Sequence, residues 1–247
     1  MLRGYYSAAS GMLVQQRNLN VIGNNLVNSQ TPGYRAQRVV QKTFDQEVVS
    51  RYEGGEYTTI GEGKQVNEVK TVDTNFDESS IYETKSPYDM AIQTDGFFNI
   101  AGENGRTFLT RNGTFSMDKD GFLTLEGVGR VQGENGDIYV GGDDFKMDSS
   151  GNVYDNTGRY SGRLLITKPT DDSQMIKFQN GLFLTDNVEQ VDNAEVKQYG
   201  YERSNVDMND EYTRLLEAQA AFKACSTALS TINTLNQKSA SQIASVT

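Results

Sequence analysis

Less polar residues recur at alternating steps of three and four at both ends of this 247-residue chain, and the stretch between does not follow that rhythm. At the front the positions are Leu2, Tyr5, Ala9, Met12, Gln16, Leu19, Gly23 and Leu26. At the back they are Leu215, Ala218, Phe222, Cys225, Leu229, Ile232, Asn236, Ser239, Ile243 and Val246. This is heptad spacing, which keeps one narrow stripe of a helix turned toward a partner helix. A stripe at each terminus predicts two long helices that pair with each other or with other copies. The front helix is expected over 3–28, because Thr31-Pro32-Gly33 removes an amide donor and offers a turn. The back helix is expected to start after Asp207, a good N-cap, with Asp210 and Glu211 in the first turn where the helix dipole favours anions. No proline or glycine interrupts the chain from Met208 to Thr247, and periodicity that long points to a coiled coil.

Between the helices the pattern changes to strands and tight turns. From Gly33 to Phe76 scattered glycines (Gly54, Gly55, Gly61, Gly63) and short alternating runs such as Val66 to Val72 read as an extended connector with some strand character. From Pro87 to Tyr201 the signal is β: Phe97 to Ile100 and Thr107 to Thr110 flank Glu103-Asn104-Gly105, where Asn-Gly supplies the positive φ of a hairpin. Similar punctuation at Asn112-Gly113, Asp120-Gly121, Asn135-Gly136, Gly151-Asn152 and Asn180-Gly181 has the close spacing of a meandering antiparallel domain. The resulting expectation is an α+β chain with an antiparallel β-rich central domain and long N- and C-terminal helices that pair as a coiled coil. Its boundaries are 1–35 (helix and turn), 36–75 (connector), 76–202 (β-rich domain) and 203–247 (helix).

Composition and charge narrow the function. Hydrophobic residues are 36 % and charged ones 23 %, ordinary for a globular protein, and no apolar run reaches the length of a membrane span. The front lacks the continuous apolar core of a secretory signal peptide. Net charge is −10, yet no acid precedes Phe44, where the only bases are Arg3, Arg17, Arg35, Arg38 and Lys42. The acid excess therefore lies in the middle, and such a body repels phosphate backbones, so nucleic acid is not an expected partner.

The chain contains no histidine, which removes every Ser-His and Cys-His arrangement and the imidazole metal sites. Cys225 is the single cysteine; its place on the helical stripe marks it as a small buried hydrophobe. Asp118-Lys119-Asp120-Gly121 and Asp148-Ser149-Ser150-Gly151-Asn152 hint at calcium loops but lie between strand-like runs, where turn chemistry explains them. Phe97, Phe98, Phe108, Phe115 and Phe122 alternate with polar neighbours as core-facing residues of a half-buried sheet should. No catalytic residue, metal, cofactor or small-molecule substrate is expected. Paired carboxylates in a cleft remain the one enzymatic alternative, with no spacing that singles out a pair.

The stripes themselves are weak, since Gln16, Gly23, Asn236 and Ser239 interrupt them. So little apolar burial does not offset the conformational freedom lost in ordering both ends. The ends are expected to be mobile in an isolated subunit and to fold on assembly. The seam is assigned to Leu2, Tyr5, Met12, Leu19 and Leu26 against Leu215, Phe222, Leu229, Ile232 and Ile243, within one subunit or between subunits.

Three groups of motifs add to this reading. In front stand Ala9-Ser10-Gly11-Met12, then Val21-Ile22-Gly23-Asn24-Asn25-Leu26-Val27-Asn28, then Thr31-Pro32-Gly33-Tyr34-Arg35. In the middle are Pro87-Tyr88-Asp89-Met90-Ala91-Ile92, Asp95-Gly96-Phe97-Phe98 and Thr110-Arg111-Asn112-Gly113-Thr114-Phe115. At the back are Ser204-Asn205-Val206-Asp207 and Glu217-Ala218-Gln219. In this order they resemble the rod and hook proteins of the bacterial flagellum, and the likeness spans nearly the whole chain. Gly23 and Val27 stand where that family usually has alanines, Ala220 where arginine is common, Phe222 for a tyrosine and Asn233 for an aspartate.

The resemblance implies terminal helices forming the inner tube of a helical axial structure with a β-rich domain outside it. It also implies export through the flagellar type III apparatus, with other copies and neighbouring rod and hook proteins as partners. Hook proteins carry additional outer domains, so this compact chain is more similar to a rod component, proximal or distal. The rival reading from another class is a secreted carbohydrate-binding β-domain protein that uses the exposed Tyr and Asp residues of the β-region.

Overall fold

A computed structural model describes residues 2–43, 47–53, 56–63, 67–102, 105–171, 175–178, 181–185 and 187–244. The chain divides into two compact units, one of residues 1–27, 37–75 and 207–247, the other of residues 28–36 and 76–206.

The first unit holds both helices, α1 (Leu2–Val27) and α2 (Met208–Ala244). Asp207 caps α2 as its sequence predicts: Oδ1 accepts hydrogen bonds from the amides of Asn209 at 2.8 Å and Asp210 at 3.3 Å. The helices run antiparallel, for a methyl placed on Gly4 would lie 3.6 Å from Ile232 and one on Gly11 would lie 3.2 Å from Cys225 Sγ. Each glycine is seven residues from the other, as are Ile232 and Cys225, so the contact keeps a heptad step on both sides. The segment read as a connector forms four strands, β1 (Gln37–Thr43), β2 (Glu47–Glu53), β3 (Glu56–Gly63) and β4 (Asn67–Thr74). β1 pairs antiparallel with β4 from Gln37↔Thr74 to Thr43↔Asn67, and β2 with β3 from Glu47↔Gly63 to Glu53↔Glu56. Both ladders slip once, after Val40 and after Val49, as bulges do in long two-stranded ribbons. α1 packs on β1 and β4, which gives that end of the ribbon the apolar support an isolated hairpin lacks.

The second unit is antiparallel β. After β5 (Ile81–Glu83) and β6 (Met90–Ile92), the strands β7 (Phe97–Gly102), β8 (Thr107–Thr110), β9 (Ser116–Met117), β10 (Leu123–Leu125) and β11 (Gly129–Gly133) join Ile166–Pro169, Ile176–Lys177 and Leu182–Leu184 in one sheet. β7 and β8 form the expected hairpin, with Ala101 opposite Thr107; of its turn, residues 103 and 104 lie outside the described residues. β5 pairs with Gly200–Glu202 and β6 with Val196–Gln198, so the end of the unit closes back on its beginning.

Around β7 the sheet departs from the half-buried expectation. Phe98 and Ile100 enter the main core with Met90, Leu123, Val131 and Phe145, while Phe97 enters a second cluster with Leu109 and Phe183 on the other face. Both faces are covered there, so alternation of aromatic and polar residues did not mark a solvent side. The polar residue between them, Asn99, is buried and satisfied, donating to the Leu165 carbonyl at 2.9 Å and to Thr167 Oγ1 at 3.0 Å.

Three turns share one construction. Asp118 Oδ1 accepts the amides of Asp120 and Phe122, Asp148 Oδ1 those of Ser150 and Asn152, and Asp155 Oδ1 those of Thr157 and Arg159. Each has glycine at the third residue after the aspartate with φ near +80° (87°, 78° and 79° at Gly121, Gly151 and Gly158). The aspartates thus serve the turn backbone.

Candidate functional site

α2 turns one row of residues inward. Leu215, Phe222, Cys225, Leu229, Ile232, Asn236 and Ser239 are half-buried and Ala218 is buried, while nearly every position between Phe222 and Ser239 that is off this row is exposed. That row is the heptad read from the sequence. Large apolar side chains remain on the outside of the helix, with Tyr212 52 %, Leu216 67 % and Leu235 52 % exposed.

On α1 the covered face is broader, because the helix meets both α2 and the ribbon. Met12, Leu19 and Leu26 are half-buried and Tyr5 is 41 % exposed. The most buried side chains are Val14, Val21, Ile22 and Asn25, which the heptad did not include. The side chains of Leu2 and Ile243 lie outside the described residues. Asn25 is fully buried and grips one residue of β1 twice: its Oδ1 accepts the Gln37 amide at 3.0 Å and its Nδ2 donates to the Gln37 carbonyl at 2.8 Å. A side-chain amide thereby takes the place of a neighbouring strand. Asn24 is exposed beside it.

Several of the other motif residues meet in the second unit, around a glutamate that the sequence did not single out. Glu202 is 2 % exposed; it pairs with Arg35 at 2.8 Å and with Arg111 at 3.4 Å, and its backbone carbonyl accepts the Gly33 amide at 2.8 Å. The first and middle motifs thus converge on one carboxylate, which stands two residues before the last motif. Gly33 sits at φ +66°, and any side chain there would lie 2.2 Å from the backbone carbon of Arg111, which explains why glycine stands in this turn. Asn205 Oδ1 accepts the Ala36 amide at 2.7 Å, and the Asn205 amide donates to the Tyr34 carbonyl at 3.3 Å. Thr31 Oγ1 donates to Asn28 Oδ1, and Ser204 contributes its carbonyl to Ser79 Oγ and its hydroxyl oxygen to the Val206 amide.

Arg111 further donates to the Thr94 carbonyl at 2.9 Å and lies 5.5 Å from the centre of the Phe97 ring. Burial pulls its guanidinium below the usual value, and the charge of Glu202 opposes that pull. Asn112 Oδ1 accepts both the amide and the hydroxyl of Thr114, holding the turn in which Gly113 passes against the Met90 carbonyl. Asp95 pairs with Lys168 at 3.0 Å, and that hydrogen bond holds its carboxyl below the ordinary range. Gly96, at φ +137°, leaves room for Ile166.

These geometries are joints between segments far apart in the chain. Among the described residues no group of three or more Asp, Glu or Cys is placed to hold a metal ion, and no helix is long and apolar enough to cross a membrane. Phe97, Phe98 and Phe115 are in the core and unavailable as a sugar-stacking platform.

Comparison with known proteins finds three family matches along the chain. Residues 6–35 match the family described as flagella basal body rod protein, residues 91–153 the flagellar hook protein FlgE/F/G D1 domain, and residues 197–243 the flagellar basal body rod FlgEFG protein C-terminal family. The chain is 32 % identical to the flagellar basal-body rod protein FlgG of Bacillus subtilis over 96 % of this chain and 98 % of that one. It is 30 % identical to the FlgG protein of Agrobacterium fabrum over 93 % and 95 %. Similarity to the flagellar hook protein FlgE of Helicobacter mustelae is 34 % but covers 54 % of this chain and 31 % of the hook protein. Matched over nearly its whole length by rod proteins and over about half of it by a hook protein, this chain belongs to the flagellar basal-body rod protein family.

Proposed function

We propose that the chain is a structural subunit of the flagellar rod that polymerises through α1 and α2 into a helical axial tube and transmits torque along it. The observation that carries this reading is the α1–α2 pair: one heptad row is covered within the subunit, while Leu216 and Leu235 of α2 and Leu13 and Val27 of α1 stay exposed on the outer faces. Exposed apolar positions on paired helices are what further helices would cover. Unlike faces that meet head to tail without closing generate a helical polymer. Other copies, together with neighbouring rod and hook proteins, are the partners of this surface, and the location is the flagellar basal body. Delivery there runs through the flagellar type III export apparatus, a route that rests on family membership.

Leu19→Asp combined with Leu229→Asp tests the role of the helices. The variant should keep the β-rich unit folded by near-ultraviolet circular dichroism yet fail to enter basal bodies isolated from the cell. Normal rods built from it would refute the seam.

A further inference from the structure

Between α1, β1 and the first turns of α2 lies a groove of about 380 Å³, lined by Asn18 and Ile22, by Arg38 and by Glu211, Arg214 and Glu217. Glu211 is 3 % exposed, and its Oε2 has no hydrogen-bond partner. A buried carboxylate oxygen without a donor is costly, and one at the wall of an open groove is served by a group arriving from outside. The two arginines of the groove do not meet it: both are held on Asp210, Arg214 at 2.8 Å and Arg38 at 3.4 Å. Counting Asp210 with them, the groove has one acid more than it has bases, so the missing donor is a cation.

The chain also carries an unused base of the right kind. In the acid-free front, Arg35 is paired with Glu202 and Arg38 with Asp210, whereas Arg17 is exposed and has no ion pair among the described residues. It sits on the outer face of α1, one turn after Leu13, which is 63 % exposed. Arg17 does not line the groove of its own subunit.

We propose that Arg17 of one copy enters the Glu211 groove of the next, with Leu13 covering the rim. This deepens the rod-subunit reading and rests on it, naming the contact that orders copies head to tail. Two acid-free fronts repel each other, and so do two such grooves, so only the unlike pairing is favoured.

Charge exchange tests the contact in cells that lack the native gene. Arg17→Glu alone and Glu211→Lys alone should each lower incorporation into isolated basal bodies by more than about tenfold. The chain carrying both substitutions should recover, because the acid then arrives on α1 of one copy and meets the base in the groove of the next. The two single variants expressed together should recover for the same reason. Arg17→Lys should be tolerated better than Arg17→Glu. Arg17 is exposed, so if Glu211→Lys does not fold, Arg17→Glu decides alone, with its melting curve checked against the wild type. Wild-type incorporation of a folded Arg17→Glu chain overturns the contact, as does failure of a folded double variant to recover. If the wild-type chain itself is absent from basal bodies, the rod-subunit reading fails instead.

Discussion

Arg35 and Glu202, separated by 2.8 Å and almost wholly buried, form the joint at which the turn after α1 is fastened to the last strand of the β-rich unit. Arg111 reaches the same carboxylate, so one acid faces two guanidinium groups away from water. Removing that acid leaves both charges buried without a counter-ion, which costs about 3–5 kcal/mol. Glu202→Gln should lower the unfolding free energy in urea by that order. The transition is followed by near-ultraviolet circular dichroism of the tyrosines, the chain having 13 of them and no tryptophan. A loss below about 1 kcal/mol would mean that the cluster is not what holds the turn.

Two glycines on either side of the end of α1 should respond in opposite ways. Gly33→Ala forces a side chain into the Arg111 backbone at a left-handed φ and should cost more than about 2 kcal/mol. Gly23 lies inside the helix with nothing within 4 Å of an added methyl, so Gly23→Ala should stabilise by about 0.5–1 kcal/mol. Thermal melts at 222 nm compare them directly.

Asn25 should tolerate neither of its close relatives. Asn25→Ala leaves the Gln37 amide and carbonyl without the partners they have now, at a cost of about 1–3 kcal/mol. Asn25→Asp should be worse, because it sets a carboxylate oxygen against the Gln37 carbonyl where an NH₂ group now donates. Amide exchange at Gln37, measured by mass spectrometry, should accelerate in both.

Stability of the β-rich unit should rise as pH goes from 8 to 10. Burial pulls the Lys177 ammonium down to about 8, although it donates to the Arg35 carbonyl at 2.7 Å and lies 3.8 Å from the centre of the Tyr34 ring. Above pH 8 the folded chain releases this proton while the unfolded chain keeps it to about 10.4, so the unfolded state binds more protons and folding gains with pH. Tyr88 has the opposite effect from pH 10 upward, since burial, then its hydrogen bond to Asp143 and that residue's charge, push it up to about 12. Urea midpoints should therefore peak near pH 10 and lose the rise between 8 and 10 in Lys177→Met.

Amide exchange in the isolated subunit should be slow through 76–206 and fast along the second half of α2. The β core is closed on several sides, whereas Leu235 is half-exposed and the row that continues through Asn236 and Ser239 offers little apolar burial. Equal protection in both would contradict the proposal that the ends become rigid only by joining other copies.

The heptad row of α2, the Asp207 cap and the turn glycines were legible because each is a local property. A 3.6-residue helix turns its side chains by a fixed angle, and an aspartate three residues before a left-handed glycine binds its own backbone wherever it occurs. By the same logic the β7–β8 hairpin was readable from its strands and turn. The third Asp-led turn, at Asp155, repeats the spacing of the first two and could have been found from them. The seven-residue interval between Gly4 and Gly11 was an available signal for close helix approach.

What the tertiary structure alone decided was which distant groups meet. Asn205 caps Ala36 across 169 residues, Glu202 collects two arginines, and β1 finds β4 instead of its next neighbour in the chain. No local pattern encodes these choices, because each depends on which surfaces are left uncovered once the helices and hairpins have formed. For the same reason the buried face of α1 shifted toward Val14, Val21, Ile22 and Asn25: a helix that packs on a ribbon as well as on a helix buries more than one heptad stripe. Periodicity and turn chemistry therefore determined the helices and hairpins, and packing determined the joints that hold them.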